Sequence, residues 1–237
     1  MDLQEVYITE PNTDLSSLKT AGTVVINTEN ANLSGLQTVE GAVYINAANA
    51  DLSSLKTAGE VYIYAPNADL SGLQTVEKKV YINGANADLS SLKTANTVII
   101  NAANANLSNL QMATEISLSN NGTNANLSGL QTVGGIVINA ENAKFPKLET
   151  AVRVLINAEN ANLSSLQTAK RVVIWAKNAN LSSLKTAGKV TIKAENTNLS
   201  SLQTVEEEVY IAAENANLSS LKTAGRKYII YLPKTPI

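Results

Sequence analysis

Between Val43 and Glu60 the chain reads VYINAANADLSSLKTAGE, with apolar residues at Val43, Ile45, Ala47, Ala50, Leu52, Leu55 and Ala58. The first three alternate with Tyr44 and Asn46, as in a strand with one buried face. The rest follow at gaps of three, two, three and three. That spacing suits neither a helix stripe nor a second flat strand. It fits a chain that bends round a narrow core and turns an apolar residue inward at each corner. So short a unit has no room for a helix beside a strand and two turns; a single 3₁₀ turn over Leu52–Leu55 does fit.

The same arrangement recurs from one end of the chain to the other. Its sharpest column is an asparagine at positions 12, 30, 49, 67, 86, 104, 124, 142, 160, 178, 196 and 215, spaced by 18 to 20 residues. A short fixed period marks a solenoid, whose units bury their apolar faces only by stacking on one another. The expected fold is therefore all-β: a single elongated parallel β-solenoid, or β-helix, of about twelve 18–20-residue coils. Residues 1–5 form a lead-in, 6–226 the repeats and 227–237 a C-terminal cap. At about 4.8 Å per coil the stack would run roughly 55–60 Å. Asparagine tolerates left-handed backbone and bonds its own kind along a stack. A structural ladder is thus expected through Asn30, Asn49, Asn67, Asn86, Asn104, Asn142, Asn160 and Asn178.

Departures from the pattern are few. Coils ending LSSLKTA (Leu15, Leu52, Leu89) alternate early on with coils ending LSGLQTV (Leu33, Leu70), and the second type carries one extra turn residue near Gly41 and near Lys78. Asp14, Asp51 and Asp88 accompany Lys19, Lys56 and Lys93, which reads as neighbouring surface columns. The middle is irregular: Met112 replaces a threonine, Asn120–Thr123 adds residues, and Phe145-Pro146 replaces Leu-Ser. An acidic run, Glu206–Glu208, is placed in a turn.

On the strand, the residues between the buried ones face outward. One outward column runs Tyr7, Val25, Tyr44, Tyr62, Tyr81, Ile99, Ser117, Val137, Leu155, Val173, Thr191, Tyr210. The other runs Thr9, Asn27, Asn46, Tyr64, Asn83, Asn101, Ser119, Asn139, Asn157, Trp175, Lys193, Ala212. An aromatic and aliphatic row beside an asparagine row is a candidate binding face, with Tyr44, Tyr62, Tyr64, Tyr81 and Trp175 as its anchors. β-Propensity alone would also place Tyr, Val and Ile there. A regular threonine column, from Thr20 to Thr223, raises ice binding as a lesser alternative. A flat Thr-x-Thr strand would be the better sign of it, and here each threonine follows a Lys or Gln in most coils.

Composition narrows the chemistry. The chain has neither cysteine nor histidine, which removes thiolate ligands, disulfides and the commonest general base. No nucleophile–base pair or phosphate loop is present, so an enzyme is not expected, nor any cofactor or metal. A net charge of −2 argues against nucleic acid, and no apolar run is long enough to span a membrane. Charge is nevertheless uneven, −7 over residues 1–118 and +5 over 119–237. End-to-end or antiparallel self-association would use that asymmetry.

The spacing L-x-x-L-x-x-[AV], V-x-I, N-x-[ND]-L, carried in one unit by Leu52, Leu55, Ala58, Val61, Ile63 and Asn67, resembles the leucine-rich coils of bacterial surface proteins. It is also similar to the β-helix of receptor L domains. The resemblance covers nearly the whole chain and implies recognition through the exposed sheet face, as in a bacterial adhesin. The expected role is a non-enzymatic scaffold that binds a protein or glycan through its Tyr/Asn face. A structural rod assembling through oppositely charged halves is the alternative. An extracellular or cell-surface setting is expected ahead of a cytoplasmic one.

Overall fold

The computed structural model describes residues 4–231 except 47, 65, 85, 103 and 120–124. The expected Asn120–Thr123 irregularity, Asn124 of the asparagine column and the last six residues of the expected cap lie outside the described residues. The chain folds as an all-β parallel β-solenoid of about twelve coils, with no helix among the described residues. It divides into two compact units, residues 1–129 and 130–237.

The strands of the first unit are β1 (Glu5–Ile8), β2 (Thr20–Ala21), β3 (Thr23–Ile26), β4 (Thr38–Ile45), β5 (Thr57–Ile63), β6 (Thr75–Ile82), β7 (Ala87–Asp88), β8 (Thr94–Ile100), β9 (Ala105–Asn106) and β10 (Met112–Leu118). Seven of them stack in the order β1-β3-β4-β5-β6-β8-β10, all parallel, while β2 pairs with β4 and β7 with β9. The register repeats coil on coil: Val43 sits opposite Val61 and Val61 opposite Val80, with Ile45, Ile63 and Ile82 in the next row. Each coil's Leu-x-x-Leu forms one tight turn, in which the second leucine N–H donates to the first leucine C=O, as in Leu55 to Leu52 at 2.9 Å. In the interior coils both leucines point into the core and are covered, as Leu52 and Leu55 are. The core of this unit is built of Val, Ile, Leu and Ala.

In the first five coils of this unit the asparagine corner is left-handed. Asn12, Asn30, Asn49, Asn67 and Asn86 have φ of 58–60°, a region that costs other L residues roughly 1–2 kcal/mol. Pro11 and Pro66 precede two of these asparagines and have no N–H to extend a ladder through the corner.

The second unit contains β11 (Thr132–Asn139), β12 (Asn142–Lys144), β13 (Thr150–Asn162), β14 (Thr168–Asn180), β15 (Thr186–Asn198), β16 (Thr204–Asn217) and β17 (Thr223–Tyr231). They stack β11-β13-β14-β15-β16-β17, again parallel, with β12 also on β13. Here the strands run on through the corner: β13 to β15 are 13 residues each and include Asn160, Asn178 and Asn196 as ordinary extended residues. The ladder continues through this corner, where Glu159 N–H donates to Glu141 C=O at 2.9 Å.

Two expectations need correction. The extra residues are not turn insertions but bulges inside strands, at Val39/Ala42, Val76/Lys79 and Val205/Glu208. A bulge absorbs one residue while both flanks stay in register. The acidic run Glu206–Glu208 accordingly lies within β16, where the Glu208 carboxylate meets the Lys189 ammonium at 2.6 Å. The Asp14 side chain is held by its own turn and by the next coil. Asp14 Oδ1 accepts from the Ser16 N–H at 2.9 Å and from Asn32 Nδ2 at 3.1 Å; the Ser16 backbone bond first, and its side chain second, hold the carboxyl below the usual range.

The two coil types differ at one close approach. A Cβ on Gly72 would stand 2.0 Å from the Ser53 carbonyl oxygen of the coil before it. Glycine there lets the Leu70–Leu73 turn sit directly on its neighbour.

Candidate functional site

Strand alternation places Tyr44, Tyr62 and Tyr81 outward, each between two buried residues. Parallel in-register pairing then sets them side by side on β4, β5 and β6. The Tyr44 and Tyr62 rings stack at 4.8 Å between centroids and 8° between planes. Tyr62 and Tyr81 are tilted at 6.4 Å, and Tyr64 meets Tyr81 at 5.6 Å. Four of the five anchors expected from the sequence therefore form one cluster in the first unit.

Charge borders the rings. Lys79 Nζ stands 5.5 Å from the centroids of both Tyr62 and Tyr81, a cation–π distance. The Tyr62 hydroxyl donates to Glu60 Oε2 at 2.6 Å. That bond, aided by partial desolvation and the carboxylate charge, pushes the Tyr62 pKa up to about 12. The Lys78 ammonium is 3.9 Å from the same carboxylate. Tyr7 on β1 repeats the device, donating to Glu5 at 2.9 Å, and its pKa is raised for the same leading reason. The i, i+2 pairing of Glu with Tyr along a strand is visible in the sequence at Glu5/Tyr7 and Glu60/Tyr62 and could have been read there. Lys79 depends on the β6 bulge and could not.

Beside the tyrosines runs a row of amides. Asn46 Nδ2 donates to Asn27 Oδ1 at 2.7 Å, and Asn101 Nδ2 to Asn83 Oδ1 at 2.8 Å. Tyr64, 45 % exposed, interrupts this row between Asn46 and Asn83. The result is a half-exposed aromatic plate flanked by ordered amide donors and acceptors, with a lysine and a glutamate on its border.

Trp175 belongs to the second unit, on β14, where its register partners are Asn157 and Lys193. It is 52 % exposed. Two positions of the expected outward columns are covered instead: Val173 and Ala212. Val173 lies between Leu155 and Thr191 on the face that carries Trp175, and Ala212 between Lys193 and Ile230.

The expected corner ladder is a separate feature. Side-chain amide bonds of 3.1–3.3 Å join Asn30 to Asn12, Asn49 to Asn30, Asn86 to Asn67 and Asn104 to Asn86. In the second unit bonds of 2.8–3.1 Å join Asn160 to Asn142, Asn178 to Asn160, Asn196 to Asn178 and Asn215 to Asn196. These amides bond one another. Threonines do likewise in part, Thr57 Oγ1 to Thr38 Oγ1 at 3.4 Å. The described residues hold no group of three or more acidic, His or Cys side chains placed to bind a metal.

Fold and face define the chain as a β-solenoid repeat protein. No family model matches it, and neither a curated protein nor a solved structure does. Its coils are shorter than the 20–29 residues of leucine-rich repeats, so the likeness to them rests on the leucine, valine and asparagine spacing alone.

Proposed function

We propose that the protein is a non-enzymatic recognition scaffold that binds a glycan or protein partner through the Tyr/Asn sheet face of its first unit. The observation that supports this most is the cluster of Tyr44, Tyr62, Tyr64 and Tyr81, half-exposed and mutually ordered. Ring faces give large contact area at low entropy cost, and adjacent amides supply directional hydrogen bonds. A row of such groups repeating at the coil spacing matches an extended ligand better than a compact one. A leucine-rich-type adhesive role at a cell surface is the setting that suits this face. A structural rod assembling through oppositely charged halves, the alternative, does not call on the tyrosine cluster.

The test is a panel of immobilised polysaccharides and extracellular-matrix proteins, probed with the wild-type chain and with Tyr44→Ser/Tyr62→Ser/Tyr81→Ser. Retention of at least one ligand by the wild type, weakened ten-fold or more in the triple variant, is expected. Equal retention by both proteins would rule out this face. For the ice-binding alternative, thermal hysteresis is the corresponding measurement.

A further inference from the structure

The two terminal coils expose the same positions of the repeat. In interior coils the paired core leucines are fully covered, as in Leu33 and Leu36 or Leu199 and Leu202. In the first coil Leu15 and Leu18 are half-exposed, and in the last coil so are Leu218 and Leu221. The first coil also presents a hollow of about 500 Å³ lined by Val6, Ile8, Leu15 and Leu18. Among the described residues β1 pairs only with β3, and β17 only with β16.

The groups the two end coils present are complementary. Through each unit a leucine N–H donates to an asparagine or aspartate C=O of the next coil, as in Leu15 to Asn32 and Leu199 to Asn217. Among the described residues, neither Leu218 N–H, the last donor in that series, nor Asp14 C=O, the first acceptor position, has a backbone partner. Charge follows the same logic. Glu5 opens and Arg226 closes one repeat position, which also holds Lys189 and Glu208. Within the chain, Lys189 and Glu208 are register neighbours and form an ion pair. Tyr7 and Tyr228, both exposed, share the position at which Tyr44 and Tyr62 stack. The unit ending in β17 carries +5 and the unit beginning at β1 carries −7.

We infer that the last coil of one copy docks on the first coil of a second copy, continuing the parallel register, so that the chain associates head to tail. The interface buries Leu218 and Leu221 against Leu15 and Leu18, pairs Arg226 with Glu5, and joins two exposed strand edges, the feature by which sheets recruit further strands. Such an interface is heterologous, because each copy offers two different surfaces, and it propagates beyond a dimer. This assembly does not use the Tyr44, Tyr62, Tyr64 and Tyr81 cluster proposed for ligand binding.

Sedimentation velocity of the purified 237-residue chain tests it. Masses of two copies and above, rising with concentration and falling at high salt, are expected. Leu18→Lys closes one end and Leu221→Lys the other. Each variant alone should be monomeric with an unchanged circular dichroism spectrum, and an equimolar mixture should double in mass and grow no further. Charge exchange gives the same reading without touching the core. Glu5→Lys should weaken association several-fold, and adding Arg226→Glu should restore it. A monomeric wild type at every concentration, self-association of either leucine variant alone, or failure of the exchanged pair to recover would overturn the inference.

Discussion

The left-handed corner of the first unit and the extended corner of the second carry the same residue, which allows a comparison with a change of sign. Asn30 has φ of 58° and makes two ladder bonds, to Asn12 at 3.3 Å and from Asn49 at 3.1 Å. Asn178 also makes two, to Asn160 and from Asn196, both 2.8 Å, but lies within β14. Removing two hydrogen bonds costs about 1–3 kcal/mol at either site, toward the lower end because the amides are exposed. Alanine at position 30 adds about 1–2 kcal/mol for a left-handed Cβ. Glycine escapes that penalty but loses about 0.5–1 kcal/mol through its freer unfolded chain. Asn30→Gly should therefore be more stable than Asn30→Ala by about 0.5–1 kcal/mol, and Asn178→Ala more stable than Asn178→Gly by a similar margin. Urea unfolding followed by far-ultraviolet circular dichroism, at constant m, measures all four variants. The same order of alanine and glycine at both sites would refute the assignment of two corner conformations.

Two further outcomes follow from the close contacts. Gly72→Ala should destabilise the first unit by about 1–3 kcal/mol, read as a lower urea midpoint, because the new methyl group must displace the Ser53 carbonyl. Glu60→Gln should lower the Tyr62 pKa from about 12 toward its ordinary value of 10, measured by phenolate absorbance during alkaline titration. Since the folded-state value is the higher one, the stabilisation from the Tyr62–Glu60 bond is present below about pH 10 and fades as pH rises through about 12. The variant should accordingly lose stability relative to wild type at neutral pH and converge with it in strong alkali.

The repeat was legible because it is written in residue type. Leu52, Leu55, Val61 and Ile63 recur at fixed offsets, and every one is buried. The asparagine column was legible for the same reason, and so was the outward direction of Tyr44, Tyr62 and Tyr81, since strand alternation leaves no other choice once Val43 and Ile45 face inward. The corner conformation was not. Asn49-Ala50-Asp51 and Asn178-Ala179-Asn180 read alike, yet only the first begins left-handed. The preceding residue does not decide it, since Glu29 stands before the left-handed Asn30 just as Glu159 stands before the extended Asn160. The bulges were also hidden: one extra residue near Lys78 can lengthen a turn or kink a strand, and only the pairing of Lys79 with Glu60 and Thr97 shows which. That bulge brings Lys79 over two tyrosine rings, so the charge beside the candidate site was out of reach of the sequence pattern. Val173 and Ala212 show the converse, an outward position covered by its neighbours.

The account depends on adjacent coils lying parallel and in register. Thr57 pairs with Thr75, and Thr75 with Thr94, and the chain has no cysteine to interfere. In-register neighbours are about 4.8 Å apart, within disulfide reach, while residues two coils apart are about twice that and beyond it. Under mild oxidation at low protein concentration, Thr57→Cys/Thr75→Cys should close an intramolecular disulfide nearly completely, and Thr57→Cys/Thr94→Cys should close none. Efficient closure of the second pair, or free thiols persisting in the first, would contradict the stacked register on which the face, the ladders and the end-to-end association all rest.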